Sequence, residues 1–216
     1  MVKCGRPRKG EECQSRDRLL DTALKLFLEY GYGNLSLETI AREAHVSMRT
    51  IYNQFGGKAG LFGAVIKRAS DPFITVLSED GLLEGRPEEA LTAFARQFLL
   101  GITQPDASRI RAILIGESLQ FPDLAMQFYQ QGPQRTLKHL EQFFIRQQQV
   151  GYFADIDPYF LAEQFLSALR GEKVFRLQLG LDPTPDEAQV EILARQATAL
   201  FLHGCLSGGQ GSSSND

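Results

Sequence analysis

The spacing of apolar residues constrains the fold of this chain most strongly. Apolar side chains recur at intervals of three and four along almost the whole sequence, as in the stripe formed by Leu20, Ala23, Leu24 and Phe27. This spacing places apolar side chains on one side of an α-helix. The sequence contains neither a sustained alternation of apolar and polar residues nor an Asn-Gly turn, which would indicate strands and hairpins. It therefore predicts an all-α protein.

Capping residues and prolines divide this pattern into separate helices. Ser36 and Ser47 are suited to cap two short helices, and Gly31 ends the helix before them. Pro87, Pro122 and Pro158 each stand at the predicted first turn of a helix. A proline costs no hydrogen bond there, because the N–H groups of a first turn have no partner within the helix. A break is predicted near Pro72 and another at Gly132-Pro133. The predicted helices cover residues 18–30, 36–44, 47–55, 58–77, 87–103, 107–119, 122–149, 158–179 and 186–203.

Charge is distributed unevenly along the 216 residues. Residues 1–68 contain 12 Lys and Arg against 7 Asp and Glu, a net charge of +5, whereas residues 69–216 contain 11 against 19, a net charge of −8. The two values sum to the −3 of the whole chain. Because a basic segment attracts polyanions, the first third is the part expected to bind nucleic acid.

Other simple signals narrow the class of protein. No apolar run reaches the roughly 18 residues that a membrane span requires, and no secretory signal follows the N-terminus. Cys4, Cys13 and Cys205 lack the spacing of metal ligands, so reduced thiols, no metal and no cofactor are expected. These observations predict a cytoplasmic protein without a membrane partner.

The stretch VSMRTIYNQF, residues 46–55, concentrates polar side chains on one short helix. Together with the preceding helix and the turn near His45, it has the pattern of a helix-turn-helix motif, in which the second helix enters the DNA major groove. Arg49 can contact guanine with two hydrogen bonds, and Asn53 or Gln54 can pair with adenine. Lys58 supplies a positive charge for a phosphate.

Residues 19–62 resemble the DNA-binding domain of the tetracycline-repressor (TetR) family. The resemblance rests on ALKLFLEYGY, LETIAREAHVS, TIYNQF and the lysine that follows. A second stretch, GESLQFPDLAMQFYQQGPQRTLKHLEQFF, is similar to the regulatory domain of one large branch of that family. The resemblance implies an N-terminal three-helix DNA-binding domain and a larger helical domain for ligand binding and dimerisation. The expected ranges are a flexible basic arm at 1–14, the DNA-binding domain at 15–66, the regulatory domain at 67–205 and a disordered tail at 206–216.

The resemblance also implies a set of DNA contacts. It places Met48, Arg49 and Tyr52 at base edges. The phosphate contacts that it implies come from Thr50, Tyr52, Gln54 and Lys58, and from Ser36 or Leu37 on the preceding helix. Gln54 departs from the family pattern, which has an aromatic residue there, and the glycines of GGKAG are expected to loosen the start of the fourth helix. The N-terminal arm can enter a minor groove or remain a solvated tail. The predicted DNA-binding residues are Arg6, Arg8, Ser36, Leu37, Ser47, Met48, Arg49, Thr50, Tyr52, Asn53, Gln54 and Lys58.

The acidic remainder is predicted to dimerise, and the resemblance implies that it also binds a small, hydrophobic inducer. Broad apolar faces on the last two long helices favour an interface between two chains, although an intramolecular core is the alternative. Aromatic residues in the middle helices are candidates for a cavity wall, although they too can simply form core. The predicted dimerisation residues are Phe165, Leu169, Leu193, Ala197, Leu200 and Phe201. The predicted ligand-binding residues are Phe94, Phe98, Phe121, Met126, Tyr129 and Phe165.

The resulting prediction is a bacterial, nucleoid-associated transcriptional regulator, with repression of a palindromic double-stranded operator as the family default. Enzyme activity is not expected, since the three histidines form no catalytic pattern and GGKAG lacks the remaining residues of a phosphate loop. Two alternatives stay open. One is a redox sensor that uses Cys4 and Cys13, which lie near basic residues. The other is a helical adaptor that binds protein instead of DNA.

Overall fold

The computed structural model describes residues 9–78 and 86–205, and these contain eleven helices and no strand. The prediction of an all-α fold is confirmed. The helices are α1 (Lys9–Tyr30), α2 (Leu37–Glu43), α3 (Met48–Phe55), α4 (Lys58–Ser78), α5 (Pro87–Ile102), α6 (Pro105–Glu117), α7 (Pro122–Gln131), α8 (Pro133–Gln149), α9 (Pro158–Arg170), α10 (Glu172–Gln178) and α11 (Glu187–Cys205).

Local sequence signals set several helix starts. The hydroxyl of Ser36 accepts a hydrogen bond from the Thr39 N–H at 3.1 Å, which satisfies one of the free donors at the start of α2. Asp157 caps α9 in the same way through the Phe160 N–H, at 2.8 Å. Helices α5, α7 and α9 each begin at a proline, as the first-turn rule predicts.

Three helices differ from the sequence-based expectation. Helix α1 begins at Lys9, within the range expected to form a flexible arm. Helix α4 continues through Pro72, although an interior proline removes one backbone donor. The single helix expected over residues 158–179 is two helices, because Gly171 adopts an extended ψ of −171° between α9 and α10.

One compact unit combines residues 1–69 with residues 109–131. Its core contains the fully buried side chains of Phe27 from α1, Ile40 from α2, Ile51 from α3 and Phe62 from α4. Burial of a side chain of this size contributes about 2 kcal/mol of stability. The same core takes in Leu124 of α7. The three N-terminal helices, the first part of α4 and the segment 109–131 therefore share one hydrophobic core.

The second compact unit contains residues 70–108 and 132–216. Within it α11 packs along α5, and α9 packs along α8. Aromatic side chains fill the centre, where the rings of Phe94 and Phe98 stack at 5.7 Å and that of Phe165 lies 4.9 Å from that of Phe201. The predicted domain boundary after residue 66 stays a prediction. None of the helices in the described ranges is long and apolar enough to cross a bilayer.

Candidate DNA-binding site

A tight turn joins α2 to α3. The Val46 N–H donates to the Ala41 carbonyl at 3.0 Å, and the Ala44 N–H donates to the Ile40 carbonyl at 2.9 Å. His45 has a φ of +54°, a left-handed conformation that is uncommon for a residue other than glycine. The chain thus reverses within three residues, and α2 and α3 form the predicted helix-turn-helix.

The inner face of α3 anchors it to the core. Ile51 is fully buried, whereas Met48 and Phe55 are partly buried against the same cluster. These residues lie three or four positions apart, so they occupy one face of the helix. Met48, predicted to approach a base edge, therefore contributes part of its side chain to packing. Ile51 fixes which face of α3 is turned outward.

The outer face of α3 presents polar groups to solvent. Arg49, Asn53 and Gln54 are exposed, and Tyr52 is 55% exposed. A guanidinium, two side-chain amides and a phenol offer the donors and acceptors that distinguish base pairs in the major groove. The structure brings these four predicted residues together on one surface, at a spacing that fits a recognition helix.

The serine and threonine hydroxyl groups among the predicted DNA-binding residues have local partners. The Ser47 hydroxyl caps α3, since it accepts a hydrogen bond from the Thr50 N–H at 3.0 Å. It also lies 2.8 Å from the Thr50 hydroxyl. Ser36 and Thr39 form the equivalent pair on α2, at 3.0 Å. The Leu37 side chain is 7% exposed and belongs to the core, so only the backbone N–H of Leu37 can face a phosphate.

Lys58 is the first residue of α4, and its ammonium lies 4.4 Å from the centre of the Tyr32 ring. This is a cation–π contact within one unit. Burial lowers the pKa of Lys58, and the nearby carboxylate of Glu117 acts in the opposite direction. The lysine is thus held by an aromatic face beside the end of α3.

The glycines around Lys58 have structural roles that the sequence did not reveal. Gly56 ends α3 in a left-handed conformation with a φ of +74°, and Gly57 has a φ of +132°. A Cβ atom added at Gly60 would overlap the carbonyl oxygen of Phe55. We expected these glycines to loosen the start of α4. In the structure, Gly56 and Gly57 instead form the turn between α3 and α4, and Gly60 allows the two backbones to approach closely.

Arg16 is a candidate DNA contact that sequence reasoning missed. Its guanidinium lies 5.8 Å from the centre of the Phe55 ring, and the side chain is exposed. A cation from α1 is thereby placed beside α3. No sequence signal pairs residues 16 and 55, because their proximity depends on how the two helices pack. The predicted contacts Arg6 and Arg8 lie outside the described residues.

The six predicted ligand-binding residues fall into two groups. Phe94, Phe98 and Phe165 are at most 2% exposed and fill the core of the second unit. The other three belong to the first unit, where the ring of Phe121 meets that of Tyr32 edge to face at 5.3 Å. Met126 and Tyr129 lie in the same unit as Phe121, and their side chains are 54% and 44% exposed. The structure does not gather the six residues in one unit.

The predicted dimerisation residues also divide by burial. Phe165 and Leu169 are buried, and Phe201 is partly buried against the second-unit core. Leu200 is 77% exposed. Together with neighbouring residues it borders a surface groove of 170 Å³. The groove is lined by Leu99, Ala168, Leu169, Leu193, Gln196, Ala197 and Leu200.

Within the described ranges, no group of three or more His, Cys, Asp or Glu residues is arranged to hold a metal ion. Cys4, one of the two cysteines of the redox alternative, lies outside the described residues. Cys13 falls in α1, but its side chain is outside the described part of the structure. The redox alternative therefore stays a prediction.

Two family models match the chain. One, described as bacterial regulatory proteins of the tetR family, matches residues 19–65, which include all of α2 and α3. The other, described as the C-terminal domain of AefR-like transcriptional repressors, matches residues 89–204, which is more than half of the 216 residues. The first match coincides with the surface built from the exposed face of α3.

Individual relatives agree with these models. The solved structure of the flavonoid-responsive regulator FrrA is 33% identical, with a TM-score of 0.71 over 91% of this chain and 99% of that one. A TetR-family regulator from Mesorhizobium loti has a TM-score of 0.75 at 23% identity, over 90% of this chain and 98% of that one, which shows the fold. The regulator SrpR from Pseudomonas putida is 27% identical, over 62% of this chain but only 61% of its own length.

These relatives are transcriptional regulators and not enzymes. The matched DNA-binding motif favours DNA over protein as the partner, against the adaptor alternative. The chain therefore belongs to the tetracycline-repressor family of helix-turn-helix transcriptional regulators.

Proposed function

We propose that this chain represses transcription in the bacterial cytoplasm as a dimer bound to a palindromic operator, and that a small hydrophobic inducer releases it. The observation that carries the proposal is the exposed polar face of α3, opposite the buried Ile51. In a helix-turn-helix motif, the second helix reads bases in the major groove through such a face. Residues 15–66 form the DNA-binding domain in this proposal, and residues 67–205 regulate and dimerise.

Arg49 is the residue whose chemistry is best suited to contact a base. It stands in the first turn of α3 and is exposed, and its guanidinium matches the two acceptors of guanine in the major groove. Tyr52 lies one turn further along, where its ring can meet a base edge or its hydroxyl a phosphate. Asn53 and Gln54 extend the same surface with groups suited to adenine.

Phosphate contacts surround this reading surface. Lys58 supplies a cation at the end of α3, and the first N–H groups of α2 and α3 supply backbone donors beside Ser36 and Ser47. Arg16 adds a second cation from α1. Contacts of this kind set the register of the protein on the duplex and make binding sensitive to salt.

The surface of the second unit supports a dimer. On α11, Ile192 and Leu200 are 54% and 77% exposed and lie on one side of the helix, with Gln196 between them. Ala168 of α9 and the partly buried Leu193 and Ala197 flank the groove on that side. Exposed apolar residues around such a groove are suited to a second copy of the same helices.

The relatives and the composition of the second unit support a hydrophobic inducer. The name of FrrA describes it as flavonoid-responsive, so flavonoids are a concrete first class to test on this chain. Two pockets in the described part of the second unit, one of 160 Å³ and the 170 Å³ groove beside Leu200, are smaller than the roughly 300 Å³ usual for ligand sites. An inducer bound there would require the surrounding side chains to move.

Selection of bound duplexes from a random DNA pool tests the proposal. The expected product is an inverted repeat, because two symmetry-related α3 helices read the two half-sites. The selected site is then placed between a promoter and a reporter gene, with a scrambled site of equal composition as the control. Repression that depends on the selected site supports the proposal. Enrichment of no sequence, or reporter activation, contradicts it.

The inducer is tested separately with the same site. Flavonoids are added to the protein–DNA complex, and release is followed by fluorescence anisotropy. Arg49→Ala serves as a binding-deficient control for changes in probe fluorescence. A compound that releases the DNA and also raises the thermal midpoint of the free protein fits an inducer. Release without such stabilisation contradicts direct binding to the protein.

A further inference from the structure

Glu117, the last residue of α6, holds the turn between α1 and α2. One carboxylate oxygen accepts from the Tyr32 N–H at 3.0 Å, and the other accepts from the Gly33 N–H. Adjacent backbone N–H groups that point the same way form a concave anion site. The carboxylate fills that site completely, because each of its oxygens takes one donor.

The turn is shaped to admit this carboxylate. Gly31 has a φ of +78°, and a Cβ atom there would lie 2.7 Å from the nearer Glu117 oxygen. A Cβ atom at Gly33 would lie 3.0 Å from the other oxygen. Any larger residue at either position would displace the side chain of Glu117. The YGYG turn, residues 30–33, is therefore held by a glutamate that lies 85 positions after Tyr32 and 84 after Gly33.

The turn that Glu117 holds contains Tyr32, whose ring contacts Lys58. The Tyr32 ring stacks on Phe27 at 5.7 Å and meets Phe62 and Phe121 edge to face at 5.8 and 5.3 Å. The Lys58 ammonium lies over the same ring. A chain of direct contacts thus runs from the Glu117 carboxylate through Tyr32 to Lys58. The negative charge of Glu117 also favours the protonated form of that lysine.

We propose that Glu117 is a positioning residue for DNA binding: it fixes the Tyr32–Gly33 turn and thereby holds the Lys58 ammonium at the end of α3, where it meets a phosphate. The inference rests on the phosphate contact assigned to Lys58 in the proposed function. A glutamate that served stability alone would affect the folded fraction without any special relation to Lys58. The energetic coupling between residues 117 and 58 separates the two roles.

A double-mutant cycle on the full-length protein measures that coupling. Glu117→Gln keeps the size of the side chain, but its amide nitrogen cannot accept the second backbone N–H and its charge is lost. Operator affinity is measured for wild type, E117Q, K58A and E117Q/K58A, at a temperature at which all four are folded. Asp123→Asn is the matched control, since this carboxylate lies near Tyr32 without a described hydrogen bond to the turn.

The expected result is a loss of affinity of about fivefold when E117Q is introduced into wild type and less than about twofold when it is introduced into K58A. The slope of affinity against salt concentration should fall for E117Q, as it does for K58A, and stay unchanged for D123N. If E117Q lowers the folded fraction, Glu117→Asp replaces it in the cycle, because it keeps the charge and draws the carboxylate away from the turn.

Two failures are distinguishable. An E117Q effect of equal size in both backgrounds, or no effect with Lys58 present, would overturn the positioning role while the phosphate contact of Lys58 stands. Unchanged operator affinity in K58A would instead overturn that phosphate contact, and the inference with it.

Discussion

The Cα atom of Gly60 lies so close to the carbonyl oxygen of Phe55 that no side chain fits between them. The backbone of Phe55, the last residue of α3, therefore lies directly against the backbone of the first turn of α4. This approach fixes the distance between the recognition helix and the helix that carries Lys58. A position of this kind tolerates only glycine.

Replacing Gly60 with alanine is expected to destabilise the protein by about 2 kcal/mol, because the added methyl group must push α3 and α4 apart. Chemical denaturation of the purified variant measures the change in the free energy of unfolding. Gly116→Ala is the matched control. A Cβ atom there meets nothing within 4 Å, so this change is expected to stabilise α6 by about 0.5–1 kcal/mol. A neutral Gly60→Ala would contradict the close approach.

Local chemistry accounts for what the sequence predicted well. Ser36 and Ser47 cap α2 and α3 as expected, and prolines begin α5, α7 and α9. Each of these signals acts over three or four residues, so no knowledge of the rest of the fold is needed. The family resemblance then supplied the role of the helix-turn-helix, which the family models confirm.

Long-range packing explains what the sequence did not predict. Three contacts join residues whose proximity depends on tertiary structure. They are the hydrogen bonds of Glu117 to the turn at Tyr32, the Arg16–Phe55 contact and the close approach at Gly60. Apolar periodicity shows that a residue is inside a core but not which core. The predicted ligand set therefore contains both Phe94 and Phe121, although they pack in the cores of different units.

Arg49→Ala is expected to abolish preference for the operator over a scrambled duplex while leaving the oligomeric state unchanged. Loss of a two-bond contact to guanine costs about 1–3 kcal/mol at each half-site. For the two half-sites this is about 2–6 kcal/mol, which weakens specific binding by about thirtyfold or more. Anisotropy titrations on both duplexes measure the ratio. Arg42→Ala is the control, since this exposed arginine pairs with Glu43 on α2. Equal weakening on both duplexes would indicate a phosphate contact for Arg49.

Leu200→Glu is expected to weaken dimerisation. The side chain is 77% exposed beside the groove between α9 and α11, so a charge there would be buried without a partner if a second copy covers it. Light scattering coupled to size exclusion should show a dimer dissociation constant raised at least about tenfold.

The control for this change is Leu119→Glu, a leucine that is 95% exposed on the first unit. It tests whether any added surface charge has the same effect. A dimer that survives Leu200→Glu unchanged would place the interface elsewhere.

The ion pair between Arg176 and Asp182 gives a prediction about pH. Two hydrogen bonds of 2.9 and 3.0 Å join the guanidinium to the carboxylate, and the hydrogen bonding from Arg176 is the largest cause that lowers the pKa of Asp182. A carboxyl whose pKa is lowered on folding adds stability above its ordinary pKa of about 3.9, and this contribution is lost as the pH falls through the lowered value. Arg176→Gln should therefore return the titration midpoint of Asp182 towards about 3.9.

Carboxyl-detected NMR follows that midpoint directly, in the wild type and in Arg176→Gln. Because both partners are substantially exposed, salt should raise the wild-type midpoint by screening the attraction. In Arg176→Gln the same salt should have little effect on it, since the cation has been removed. An Asp182 midpoint that is identical in the two proteins would show that the ion pair does not form in solution.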